Sequence, residues 1–188
     1  MKTVSRYPLS ISLLHWLLAV ALIGNLIVGL LLDDNEDLLG LHKSIGIAIL
    51  GLVAVRIVNR LRMRRRLPPS INPAGTLNHF AERGVHGLLY VLMFAIPVLG
   101  WMKTNAAGHT ANCFGFFSLP TLAPKNRELS HLLGEMHALT AYGLAALVGL
   151  HVLGALAHKL FNSENVLLRI LPFATRTARH KISSAGRN

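Results

Sequence analysis

The sequence predicts an all-α integral membrane protein, a bundle of four transmembrane helices with both termini in the cytoplasm. Three observations predict it. Apolar residues make up 52% of the 188-residue chain, for a mean hydropathy of +0.47. They gather in four blocks, Leu9–Leu32, Leu41–Val58, Val85–Met102 and His137–Ala157, each near the roughly 20 residues that a helix needs to cross about 30 Å of hydrocarbon. The charges are sorted between the two sides. Fifteen Lys and Arg against two Glu fall with the N-terminus, the 59–75 linker and the C-terminal tail, and four against six acids fall opposite. That balance of +13 against −2 puts the basic side inside the cell. Residues 1–172 then form one membrane domain, and 173–188 a basic, disordered cytoplasmic tail.

The elements follow in order. Leu9–Leu32 carries no formal charge over 24 residues. Lys2 and Arg6 precede it as they would a secretion signal. The run is longer than the roughly 7–15 residues of a signal h-region and no small-x-small cleavage site follows, so it stays as an anchor. "DDNED" turns the chain outside the membrane. The second helix runs from about Leu41 to beyond Arg60, with Lys43 and Arg56 close enough to the ends of its apolar block to snorkel. "RLRMRRR" is a topology determinant first and an attraction for anionic lipid second. No aromatic residue interleaves with these arginines, which argues against nucleic acid as a partner. "LPPSINPAG" is a cytoplasmic linker. Thr76 suits the N-cap of a third helix ending near Met102, in which Pro97 predicts a kink. Lys103–Ser130 reads as an external loop of irregular pieces, with "CFGFFSLPTL" lying back over the bundle. The fourth helix runs from about Ser130 to Lys159. Ser163 then caps a short interfacial helix, "ENVLLRIL", stopped by Pro172. Trp16 and Trp101 read as interface anchors. A single cysteine, Cys113, excludes an intramolecular disulfide and a cysteine metal cluster, and no Cys-x-x-Cys-His is present to tether a haem.

Ten histidines are the chain's most informative feature. An imidazole in an apolar span needs a partner, because an unsatisfied polar group there costs roughly 2–7 kcal/mol. His137 and His151 are separated by 14 residues, about 21 Å of helix and nearly four full turns, so they share one face at two depths. His42 opens the second helix level with His137. His15 lies level with His151, and His86 is a rival at that depth. Two stacked pairs of facing imidazoles, with no cysteine or carboxylate beside them, suit the axial positions of haem iron. Gly24, Gly29, Gly46, Gly51, Gly143, Gly149 and Gly154 would leave room for the macrocycle or serve close helix contact. Interhelical hydrogen bonds, a proton relay and a zinc or nickel pathway are the other readings. A relay normally includes buried Asp or Glu, and a zinc site three or four ligands. His79, His109, His131 and His180 read as surface residues, and His158 as a group near the inner site or a quinone edge.

"ISLLHW", "LHKSIGIAILGLVAVRIVNRL", "HGLLYVLMFAIPVLGW", the His137/His151 spacing and "ENVLLRILP" together resemble bacterial cytochrome b561, with hydrogenase-type b cytochromes as wider relatives. The resemblance runs from about Tyr7 to Pro172. It implies a di-haem b protein of the bacterial inner membrane that exchanges electrons with ubiquinone, some members being superoxide oxidases. Carried over, the family's ligands fall on His15 and His151 for the inner haem and on His42 and His137 for the outer. His86 matches a family histidine without an assigned role. Lys43, Lys103, Lys125, Arg127 and His109 would draw an anion such as superoxide toward the outer haem. Lys43 and Lys103 equally suit headgroup anchoring. The resemblance also admits a second function, a haem-b subunit that anchors a partner oxidoreductase and relays its electrons. The loop Ala106–Pro124 departs from the family pattern where the donor would approach.

Overall fold

The structure, a computed structural model, describes residues 6–32, 35–70, 72–161 and 166–172. Four helices are long and apolar enough to cross a membrane. They are α1 (Leu9–Leu30), α2 (Glu36–Arg62), α3 (Leu77–Ala106) and α4 (Arg127–Phe161), followed by a short α5 (Val166–Ile170). Leu18 and Leu22 of α1, Ile49 and Val53 of α2, Leu89, Met93 and Ile96 of α3, and Leu144 of α4 form one core. In the most apolar stretches of the four spans only 22, 17, 17 and 6% of residues are buried. Most apolar side chains therefore face outward, which is where lipid rather than water must meet them.

Helix boundaries follow local capping. α2 begins at Glu36, five residues before the expected Leu41. The Asn35 side chain accepts from the Leu38 N–H, and Glu36 and Asp37 occupy the first turn, where the helix dipole favours negative charge. Part of "DDNED" is thus helix, and Asp33 and Asp34 lie outside the described residues. α3 starts as expected, with the Thr76 hydroxyl accepting from the His79 N–H, and continues through Pro97 to Ala106. α4 starts at Arg127, where the Asn126 side chain accepts from the Leu129 N–H.

The loop between α3 and α4 is shorter and more regular than expected. Gly108, at φ +90°, turns the chain out of α3. Asn112–Cys113 (β1) then pairs antiparallel with Phe117–Ser118 (β2), Asn112 opposite Ser118. Phe114 and Gly115, at φ 49° and 74°, form the turn. The first strand packs down as expected. Ala111 and Cys113 are buried, and the buried Ser44 hydroxyl accepts from the Phe114 N–H at 2.9 Å. The phenylalanines do not follow: Phe114, Phe116 and Phe117 are 50, 87 and 56% exposed. Asn105 ties the remainder, its side chain accepting from the Leu122 N–H and donating to the His109 carbonyl.

At the other end, the two extremes of the described chain meet. The Tyr7 N–H donates to the Arg169 carbonyl, the Trp16 indole to the Ile170 carbonyl, and the Arg169 guanidinium to the Pro69 carbonyl. We call this the termini end and the opposite one the hairpin end. Ser163 and the 173–188 tail lie outside the described residues.

Candidate functional site

Polar side chains inside the bundle fall in two layers. In the layer toward the hairpin end, His42 of α2 faces His137 of α4, with ring centroids 6.0 Å apart. In the layer toward the termini end, His15 of α1 faces His151 of α4 at 6.3 Å, and His86 of α3 stands 5.1 Å from His151. All three expected partners are brought together.

The hairpin-end rings are held in the same way on two different helices. His42 Nδ1 lies 3.2 Å from the Asn25 carbonyl, and a Cβ on Gly29 would come within 3.0 Å of the His42 ring. His137 Nδ1 lies 2.9 Å from the Ile96 carbonyl, and a Cβ on Gly100 would come within 3.1 Å of the His137 ring. In both, the acceptor stands four residues before the glycine. With no side chain at the glycine, the imidazole rests on the helix backbone and reaches a carbonyl that already closes a helical bond, using its second lone pair. The proton is then on Nδ1, and Nε2 is left as the free donor atom. Gly29 is among the small residues read from the sequence. Gly100 is not, since nothing in a glycine three residues after a proline marks it as a seat for a ring on another helix. Gly24, Gly51, Gly143, Gly149 and Gly154 have open space where a Cβ would stand.

A metal–imidazole bond of about 2 Å, with the ring centre about 1.2 Å behind its nitrogen, puts two imidazoles on opposite sides of one iron at about 6.4 Å between centres. The His42–His137 and His15–His151 pairs fit that span, and His86–His151 falls short of it. His86 Nδ1 stands 2.7 Å from the Glu82 carbonyl of its own helix, so the distance to His151, not the hydrogen bond, sets it apart from the fitting pairs. Each fitting pair offers two neutral nitrogen ligands, which is a haem donor set. Among the described residues no group of three or more His, Cys, Asp or Glu is placed to hold a bare metal ion.

A cleft of about 280 Å³ opens over the hairpin-end pair and is lined by His42, His137, Lys43, Lys103 and Asn25. Asn25 is 8% exposed and its Oδ1 has no hydrogen-bond partner among the described residues. Beside the cleft lies a wider cavity of about 700 Å³ lined by Lys103, Lys125, Arg127 and Glu135. Lys103 joins the two. Its stem runs along Gly134, where a Cβ would stand 3.3 Å away, and Lys125 lies likewise against Gly108. The expected cations therefore do converge above the His42–His137 layer, with His109 also lining the cleft.

Trp16 lies two turns inside α1, and Trp101, five residues before the end of α3, donates from its indole to the Pro120 carbonyl. His131 lies at the surface, 3.2 Å from Glu135. His79 is half-buried, with Nδ1 enclosed and without a hydrogen-bond partner among the described residues. His158 is half-buried two turns beyond His151, and Cys113 is a free, buried thiol. His180 lies outside the described residues.

The chain is similar to known proteins over most of its length. The "Cytochrome b561 homolog 2" of Escherichia coli (strain K12) is 29% identical over 90% of this chain and 93% of its own length. The "Probable superoxide oxidase CybB" of Yersinia pestis is 33% identical over 70% of this chain and 73% of its own. "Cytochrome b561 homolog 1" of Escherichia coli (strain K12) is 28% identical over the same 70% and 73% shares. The family profile described as prokaryotic cytochrome b561 matches residues 6–173, which takes in every span and every imidazole of the two layers. Four apolar helices with paired histidines at two depths are thus the frame of a bacterial multi-pass b-type cytochrome, and the chain belongs to the prokaryotic cytochrome b561 family.

Proposed function

We propose that this chain is a di-haem cytochrome that carries electrons from superoxide to ubiquinone across the inner membrane, its hairpin end outside and its termini end in the cytoplasm. The observation that carries the reading is the presence of two imidazole pairs, at 6.0 and 6.3 Å, in separate layers of one bundle. His42 and His137 hold one haem b and His15 and His151 the other. Fourteen residues of α4 separate the layers by about 21 Å, so one haem stands toward each face of the membrane. Haem supplies a one-electron couple at each layer.

The protein's own residues set up the reaction around these positions. The carbonyls of Asn25 and Ile96 fix the tautomer and orientation of the hairpin-end ligands. Lys43, Lys103, Lys125 and Arg127 form a positive funnel over that layer, and such a field raises the local concentration of a small anion. Two superoxide anions each give up one electron and leave as dioxygen. One ubiquinone takes both electrons with two protons and becomes ubiquinol. The 33% identity to a protein named as a probable superoxide oxidase supports this donor, and the charge asymmetry of the sequence supports the orientation.

The test uses the purified protein in lipid nanodiscs. Expected are two haem b per chain by the pyridine haemochromogen assay, and ubiquinol formed from enzymatically generated superoxide with no other protein present. Haem binding without ubiquinol formation would replace this reading with that of a relay subunit for a partner oxidoreductase. A chain without haem would return the histidines to transport or hydrogen bonding.

A further inference from the structure

We propose that Arg56 and Tyr90 form a carboxylate-binding site inside the membrane, and that it holds a propionate of the haem between His15 and His151. The inference rests on the di-haem reading above. Arg56 stands six residues, or about 9 Å, inside the end of α2 at Arg62. A long cationic side chain near a helix end is expected to snorkel toward the headgroups, and this one does not. Its Nε–H donates to the Tyr90 hydroxyl at 3.0 Å, and its guanidinium carbon lies 5.8 Å from the centre of the tyrosine ring. Tyr90 lies seven residues, about 10 Å, deeper along α3 than Arg83. The guanidinium is therefore tied to a side chain of the neighbouring span.

No carboxylate among the described residues pairs with it there. Glu82, the nearest acid along α3, is occupied by the Ser70 hydroxyl at 2.6 Å and the Asn72 amide at 3.0 Å. An unpaired charge within a span is costly and normally marks a site. The bond to Tyr90 consumes only Nε–H, leaving both terminal amino groups, the fork that matches a carboxylate in bidentate fashion. The Tyr90 hydroxyl, accepting from Arg56, still has its own proton to donate. Tyr90 stands four residues, one helical turn, from His86 on the same face of α3, and the His86 ring is 5.1 Å from that of His151. Helix α2, which supplies no imidazole to the termini-end layer, thus supplies its cation. The chemistry sought is an anionic or strongly accepting oxygen at the edge of that layer. A porphyrin propionate meets it at fixed distance from the iron; a quinone oxygen is the competing source.

A cation held at one haem favours that haem's reduced state, because the added electron is attracted to it. Potentiometric titration of the holoprotein in nanodiscs, without quinone, resolves the two haems, and a His42→Ala background leaves only the termini-end haem to be followed. Arg56→Gln is expected to disfavour reduction of that haem at least tenfold, a fall of 59 mV for a one-electron couple, with the other haem unmoved. Arg56→Lys recovers at least half of the shift, and Tyr90→Phe moves the same haem in the same direction by less. Loss of that haem alone in Arg56→Gln, recovered in Arg56→Lys, supports the site equally. Unchanged potentials in all three variants overturn the proposal, as does an equal shift of both haems. Unchanged potentials with a raised KM for ubiquinone assign the pair to quinone instead. A wild-type protein with fewer than two haems fails the di-haem reading before any variant is compared.

Discussion

At the residue scale, the hairpin-end layer is built on two backbone seats rather than on side-chain pockets. Gly29 with the Asn25 carbonyl and Gly100 with the Ile96 carbonyl place His42 and His137 by contact with main chain, which cannot move aside as a rotamer can. Gly100→Ala would put a methyl 3.1 Å from the His137 ring, tighter than the contact allows, and would push the ring off its carbonyl. The expected outcome is loss of one haem per chain, read by haemochromogen assay, although alanine is the better helix former by about 1 kcal/mol. The same assay decides between the two histidines near His15. At 5.1 Å from His151, short of the span across one iron, His86 is not a ligand in the proposed site. His86→Ala should retain two haems where His151→Ala retains one. An outcome with these two reversed would move the ligand to His86.

At the element scale, what could be read in advance depended on how locally each element is determined. α3 begins where Thr76 predicts because a hydroxyl cap is decided within four residues. The start of α2 needed the same reasoning applied to Asn35, whose cap and following acids outweigh the polarity that made "DDNED" look like loop. The hairpin had no readable signal. Its strands are two residues each, too short for alternation to show, and its turn uses Phe114 at positive φ, where glycine, asparagine or aspartate is usual. Tertiary contact compensates, through Ser44. That hydroxyl accepts from Phe114 N–H and donates to the Gly40 carbonyl at 2.9 Å each, so Ser44→Ala leaves a buried donor without its partner, at a cost of about 1–3 kcal/mol. Local opening should rise accordingly. The Phe116 and Leu119 amides, which close the hairpin onto the Cys113 and Ala111 carbonyls, are expected to exchange with deuterium roughly 5–150-fold faster, with both haems retained. Unchanged exchange at these amides would show that the hairpin holds without α2.

At the scale of the whole molecule, depth is what made the candidate site legible. In a bundle of straight spans, distance from a helix end fixes level, so His15, His42, His137 and His151 sort into layers from sequence position alone. Rotation about each helix axis is fixed only by packing, which is why Arg56 could be assigned a depth but not a partner, and why Asn25 and Gly100 went unread. Sidedness is a further quantity that neither packing nor depth supplies, because a bundle has the same internal energy either way up. It follows from the charges. The arginines of residues 56–66 flank the termini end, and Glu36, Asp37, Glu128 and Glu135 lie toward the hairpin end. Since basic loops resist translocation, the termini end is expected in the cytoplasm. A fluorescent protein fused after Asn188 should fluoresce, and alkaline phosphatase at the same place should be inactive. Phosphatase inserted after Gly115, in the hairpin turn, should be active, with at least a tenfold contrast between the two phosphatase sites. The reverse pattern would turn the cationic cavity of Lys103, Lys125 and Arg127 toward the cytoplasm, and would remove the reason for an external anion to meet it.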